Sequence, residues 1–140
     1  MKTNETPKWF LEALAQKPKT KTVKIKGSKI SYNCWGEKNK PGLIFVHGGM
    51  AHADWWNFIT PYFLKTHRVI AMNLGGMGDS EWRKEYSTET WGLEIEGVSK
   101  KEKLKKPIII GHSLGGMCGV YAASIMKKNL YGLVIVDTAI

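Results

Sequence analysis

The sequence predicts an α/β protein built on a mostly parallel sheet, with an antiparallel hairpin near its N-terminus. Three observations predict it. Four short apolar runs, 43–46, 69–72, 108–110 and 133–136, suit strands buried on both faces. Helix-length segments at 54–64, 88–103 and 114–127 separate those runs, and such alternation implies a parallel sheet. Glycine-rich turns or an aspartate follow each run, where such sheets bind ligands.

In chain order, Thr6-Pro7 reads as an N-cap and a first-turn proline, opening a helix to about Gln16 that Pro18 ends. Residues 22–26 and 29–35 alternate apolar and polar around Gly27-Ser28, the pattern of a hairpin. Asp54 is placed to cap the first long helix and Thr88 the second. The lysines of 100–106 suit the negative end of that second helix, and a solvated helix end is preferred to a docking patch. No repeat, low-complexity tract or linker interrupts the chain. The expectation is one domain over 1–140, with 1–20 as a helical lead-in.

Composition bounds the function. The chain has 140 residues, a hydrophobic fraction of 43% and a net charge of +9 from 21 Lys+Arg against 12 Asp+Glu. The arginines are only Arg68 and Arg83, while phosphate and guanine recognition favour arginine. A solvated lysine surface is therefore preferred to a nucleic-acid patch. Cys34 and Cys118 lack metal-ligand or CxxC spacing and sit in apolar segments, so they read as buried free thiols. Residues 1–10 contain no apolar signal region; with the thiols, this points to the cytoplasm. The low-charge stretch 108–126 has the length of a membrane span, but its glycines with His112 and Ser113 read better as strand, turn and buried helix. No membrane partner is expected.

The chemistry concentrates at the turns. Gly111-His112-Ser113-Leu114-Gly115 is G-x-S-x-G between an expected strand and an expected helix. Such a turn is too tight for side chains at its glycines. It lifts Ser113 above the sheet as a candidate nucleophile, with the Leu114 N–H as an oxyanion donor at the helix start. A phosphate loop is the sharpest rival, but Met117 and Cys118 stand where it needs lysine and Ser/Thr. No G-x-G-x-x-G follows the first run, so a dinucleotide site is poorly supported. His47-Gly48-Gly49 would supply the second oxyanion donor, from the Gly49 N–H or that of Met50. His47 is read as orienting this loop, His112 as facing away from the nucleophile's proton, and His52 and His67 as loop residues. No metal and no cofactor are expected. Trp55, Trp56 and Trp82 could surround a substrate or fill the core.

Together, His47-Gly48-Gly49, Gly76-Met77-Gly78-Asp79-Ser80 and the Ser113 elbow resemble the N-terminal half of an α/β-hydrolase-fold enzyme, from about Thr22 onward. The resemblance implies a structural role for the Asp79-Ser80 loop. Relatives that open epoxides or remove halide carry aspartate at the elbow, so Ser113 argues for acyl transfer to serine on a small-molecule ester, amide or related carbonyl. It also implies the triad order Ser, Asp/Glu, His. All four histidines precede Ser113, so the base is expected beyond Ile140, in a chain truncated after about the sixth strand. Asp137 is the in-chain candidate acid, set against a strand-end aspartate that bonds the rim. The 140 residues alone are expected to be inactive and open to self-association through an exposed sheet edge. The alternative is a non-catalytic small-molecule-binding module on the same fold.

Overall fold

The computed structural model describes residues 5–139. Its six strands form one sheet in the order β1-β2-β4-β3-β5-β6. They are β1 (Lys19–Ile25), β2 (Ser28–Trp35), β3 (Gly42–Val46), β4 (Arg68–Met72), β5 (Ile108–His112) and β6 (Gly132–Val136). β1, β2 and β4 pair antiparallel in turn; β4, β3, β5 and β6 pair parallel. The helices are α1 (Lys8–Ala15), α2 (Thr88–Lys101) and α3 (Leu114–Met126).

The runs of β3 and β4 are buried on both faces, with successive side chains pointing to opposite sides. The 133–136 run of β6, expected to be buried likewise, is half-exposed, because nothing among the described residues covers Val134 and Val136. Ile44, Val46, Ile70, Met72 and Ile109 pack with Ile95 and Val98 of α2 and Cys118 and Ala122 of α3. Leu43, Phe45, Val69 and Ala71 face the other way, onto Ala53, Trp56 and Phe63. Cys34 and Cys118 are buried free thiols, as expected. Burial and the Glu94 charge push the Cys118 thiol up to about 12.

Several boundaries differ from the sequence reading. The expected helix over 54–64 is two 3-10 turns, Ala53–Trp56 and Thr60–Phe63. Pro61 donates no backbone hydrogen bond and restricts Thr60 before it, so a continuous α-helix cannot pass. Asp54 therefore caps nothing; its carboxylate accepts from Asn33 at 2.8 Å and Asn57 at 3.1 Å. Ser87, not Thr88, caps α2, accepting from the Thr90 N–H at 3.1 Å. Pro7 occupies the cap position of α1, with Lys8 as its first helical residue.

Topology places the site. From β3 the chain crosses to β4 on one side, then returns to β5 on the other. β3 is thus where the winding reverses, and Val46 pairs with Gly111 across its carboxyl end. The loops after β3 and β5 meet there, at the crevice such sheets use for ligands.

Candidate active site

Ser113 stands between β5 and α3 with φ 49° and ψ −120°, a conformation L-residues rarely adopt. Its backbone is held on all sides. The Ser113 N–H donates to Val136 O at 3.0 Å, continuing the β5–β6 ladder by one residue. The Ser113 carbonyl accepts from Gly116 N–H at 2.8 Å and from the Thr138 hydroxyl at 2.9 Å. The motif glycines have steric reasons. A methyl on Gly111 would overlap the Gly115 carbonyl. One on Gly115 would meet the carbonyl oxygens of Val46 at 2.5 Å and His47 at 2.6 Å. These are backbone atoms, so no rotamer change relieves them.

The loop after β3 lies directly against this turn. A methyl on Gly48 would meet His112 Nδ1 at 2.9 Å and Ser113 Cβ at 3.3 Å. Gly49 is open, with only Leu114 Cδ2 at 3.9 Å from such a methyl. Met50 follows at φ 59° and is fully exposed. The N–H groups of Gly49, Met50 and Leu114 have no hydrogen-bond partner among the described residues. Three unspent donors thus lie on the loop and the helix start that meet at Ser113.

His47 fixes that loop from below. It is fully buried; its Nδ1 bonds Gly48 O at 2.7 Å and its Nε2 accepts from Leu74 N–H at 3.1 Å. Those partners call for the neutral tautomer with the proton on Nδ1. Burial lowers the His47 pKa, against the opposing pull of Gly48 O. The ring joins the loops after β3 and β4, the orienting role expected of it. Ser80 is equally structural: buried, it accepts from Ser31 N–H at 2.9 Å and donates to Asn73 O at 2.8 Å.

Sequence reasoning missed three supports of this rim. Asn73, buried after β4, accepts from Ala53 N–H at 2.6 Å and donates to Ser31 Oγ at 2.7 Å. Glu94 is fully buried on α2, where it accepts from Gly75 N–H at 2.8 Å and pairs with Arg83 at 2.9 Å. Burial pushes the Glu94 carboxyl up, against the pull of Gly75 and Arg83. Thr138 is the third. A polar residue directly after an apolar run was the available signal for Asn73; for Glu94 and Thr138, no local pattern marks a partner so distant in sequence.

The remaining candidates stand apart. Asp137 is exposed, at φ 49°, and has no hydrogen bond or ion pair among the described residues, so it does not bond the rim. His112 stacks on Trp55, centroids 5.8 Å apart. His52 faces Asp54 at 3.8 Å, and His67 Nδ1 faces Thr66 Oγ1 at 2.8 Å. Ser113 Oγ has no histidine partner among the described residues. Trp56 packs on Phe45 at 5.0 Å, whereas Trp55 is 52% and Trp82 81% exposed.

A sequence model of the α/β hydrolase fold matches residues 41–140. The chain belongs to the α/β hydrolase fold family. Among curated members, it is 25% identical over 118 residues to epoxide hydrolase 4 of Homo sapiens, covering 82% of this chain and 33% of that protein. It is 27% identical over 123 residues to karrikin insensitive 2 receptor IA of Petunia hybrida, covering 84% and 41%. The solved thioesterase domain from the curacin biosynthetic pathway superposes with a TM-score of 0.77 at 26% identity, over 86% of this chain and 46% of that one. The chain therefore spans less than half the length of these α/β hydrolase relatives. Among its described residues, no helix is long and apolar enough to cross a membrane.

Proposed function

We propose that the protein containing this chain is a serine hydrolase of ester, amide or related carbonyl substrates, with Ser113 as nucleophile. One observation carries the reading: a serine, held at φ 49° on a strand-to-helix turn, at the point where the sheet's winding reverses. Epoxide-opening relatives would place an aspartate there, so membership beside an epoxide hydrolase does not transfer that chemistry. In the mechanism Ser113 Oγ attacks the substrate carbonyl carbon while a histidine takes its proton. The Leu114 and Gly49 N–H groups hold the oxyanion, with Met50 as the alternative second donor. The tetrahedral intermediate collapses, the leaving group departs with the histidine's proton, and water attacks the acyl-enzyme to release the acid and restore Ser113.

None of the four histidines of this chain suits the base. His47 has both ring nitrogens engaged, His112 stacks on Trp55, and none of the four makes a hydrogen bond to Ser113 Oγ among the described residues. The reading therefore assigns the base to a histidine outside residues 1–140, and residues 1–140 alone are proposed to be inactive. Fluorophosphonate labelling of the complete protein with peptide mapping tests it. Label on Ser113, lost in Ser113→Ala with turnover down by at least about three orders of magnitude, is the expected result. Label that survives the substitution overturns it.

A second reading has its own support: one relative bears the name of a receptor. The protein would then be a small-molecule-binding module that keeps the elbow. Ligand-induced thermal stabilisation with no Ser113-dependent turnover across ester, thioester and amide probes would select that reading.

A further inference from the structure

The end of the sheet opposite Ser113 gathers most of the chain's 21 Lys+Arg residues. The pairing register brings the starts of β1, β3, β4, β5 and β6 to that end. The segments 17–21, 36–41, 65–68, 100–106 and 127–128 therefore converge there, carrying acid only at Glu37 and Glu102. By contrast, the loops around Ser113, at 47–54, 73–80 and 137–139, carry Asp54, Asp79 and Asp137 and no lysine or arginine. A smaller cationic group, Lys24, Lys26, Lys29, Arg83 and Lys84, lies by the β1–β2 turn at the other end of the sheet.

This basic end is grooved. A cleft of about 540 Å³ has Lys21, Lys38, Lys101 and Lys103 in its walls. A second, of about 310 Å³, shares Lys38 and Lys103 with it and adds Lys40 and Lys105. A third, of about 320 Å³, shares Leu104 and Lys105 with the second and adds Lys100 and Lys106. The three clefts adjoin around the 101–106 turn, with Lys38, Lys103, Leu104 and Lys105 in the walls between them, and together make this end a grooved surface. Lys38, Lys101, Lys103, Lys105 and Lys106 have no ion-pair partner among the described residues, whereas Lys21, Lys40 and Lys100 pair with Glu102, Glu37 and Glu96.

The lysine-bearing turn is also pinned in place. Glu102 points inward and accepts from Lys21 at 2.7 Å, Tyr32 at 2.8 Å and Arg68 at 2.8 Å. Leu104 packs over the start of β3, where a methyl on Gly42 would meet its Cδ1 at 2.9 Å. Anchors and lysines alternate along the turn, so the cations project from a fixed backbone. Preorganised charge loses less on binding than charge on a mobile tail.

We propose that this groove docks an acidic polypeptide segment of a partner protein, leaving the Ser113 rim free. The proposal does not rest on hydrolysis. A concave groove suits an extended chain rather than a bilayer surface. Tyr32, the aromatic residue in its walls, is fully buried, so nucleobases have nothing there to stack on.

The test is binding of a fluorescently labelled dodecaglutamate peptide to the full chain, by anisotropy at low and physiological salt. Substituting Lys38, Lys101, Lys103 and Lys105 by Gln is expected to weaken binding at least about tenfold. A control of equal charge, Lys24, Lys26, Lys29 and Lys84 to Gln, is expected to weaken it by less than about threefold. Equal loss in both variants would mean net charge alone and overturns the proposal. So does tighter binding of a single-stranded oligonucleotide, or of phosphatidylserine vesicles, than of the peptide. Singly substituted Lys38→Gln and Lys103→Gln, both at exposed positions, stand in should the fourfold variant lose its far-UV signal. If neither weakens binding, the groove is not the site.

Discussion

At Ser113 the backbone stores strain that four hydrogen bonds, the Met117 N–H to Ser113 O included, and two glycines over-determine. A serine kept at φ 49° on an ordinary turn would relax toward a populated region; here Val136, Gly116, Met117 and Thr138 hold it. Asp137, one residue beyond Val136, has no such hold on its side chain. It is exposed and unpaired among the described residues. Asp137→Asn in the complete protein is accordingly expected to leave kcat within about threefold of wild type. A fall of orders of magnitude, as removal of a triad carboxylate produces, would instead make it the acid. Two other residues set the acid sensitivity of the fold. Burial of Glu102 opposes its ionisation, but hydrogen bonds from Lys21, Arg68 and Tyr32 outweigh that and hold it at about 2. A depressed carboxylate stabilises fully above its unfolded value of 4.5 and loses that contribution as pH falls toward 2. His47, buried neutral, acts in the same direction from 6.5 downward, because only the unfolded chain takes up its proton there. Urea unfolding of the chain from pH 7 to pH 3 should therefore show stability falling in two stages. Glu102→Gln should be less stable at pH 7, where it strands the buried Arg68 charge, and should lack the second stage. An unchanged slope below pH 4.5 would remove Glu102 from the account.

Elements differ in how openly the sequence declares them. β3 and β4 were legible because burial on both faces forces continuous apolar runs, and β1 because its one covered face forces alternation, whereas β2 alternates in sequence yet is buried along most of its length and β6 is apolar yet half-exposed. The Ser113 elbow was legible because its glycines answer to backbone atoms of neighbouring elements, a constraint local enough to leave a motif. The 54–64 segment was not: its apolar spacing fits a helix, and only Pro61 speaks against one. The Asn73, Glu94 and Thr138 contacts were illegible for another reason, since each joins residues brought together only by the finished sheet. The elbow's steric argument makes a definite prediction. Gly115→Val would drive its side chain into the Val46 and His47 carbonyls, whose positions the β3–β5 register fixes. The expected cost is about 3 kcal/mol or more, in the range of severe overpacking. Thermal melts of wild type and variant decide it; coincident melts would show that the turn can open without breaking the register.

Across the whole molecule, the sheet ends in two unlike edges. β1 is short of apolar side chains and rich in lysine, a edge that discourages pairing with another chain. β6 is the opposite. It pairs with β5 along one side, and among the described residues nothing pairs with its other side. Val134 and Val136 on it are 47% and 41% exposed, and Met117 and Val120 of the adjoining α3 are 46% and 42% exposed. Unpaired backbone groups flanked by apolar side chains make a template for a further strand. In residues 1–140 taken alone, the available strand is that of a second copy, so the chain is expected to self-associate through β6. Sedimentation velocity across a hundredfold concentration range reads this directly. The decisive variant places charge on exposed side chains of the edge and keeps the Val136 carbonyl that accepts from the Ser113 N–H: Val134→Lys with Val136→Lys, both on side chains already partly in solvent. If β6 is the contact, the double variant should sediment as a monomer at concentrations where the unsubstituted chain does not, with an unchanged far-UV spectrum. If the unsubstituted chain is itself monomeric throughout, or the variant associates as strongly, the edge is not sticky enough to matter. The 410 Å³ cleft on α3, lined in part by Met117, Val120 and Tyr121, would then be the next surface to substitute.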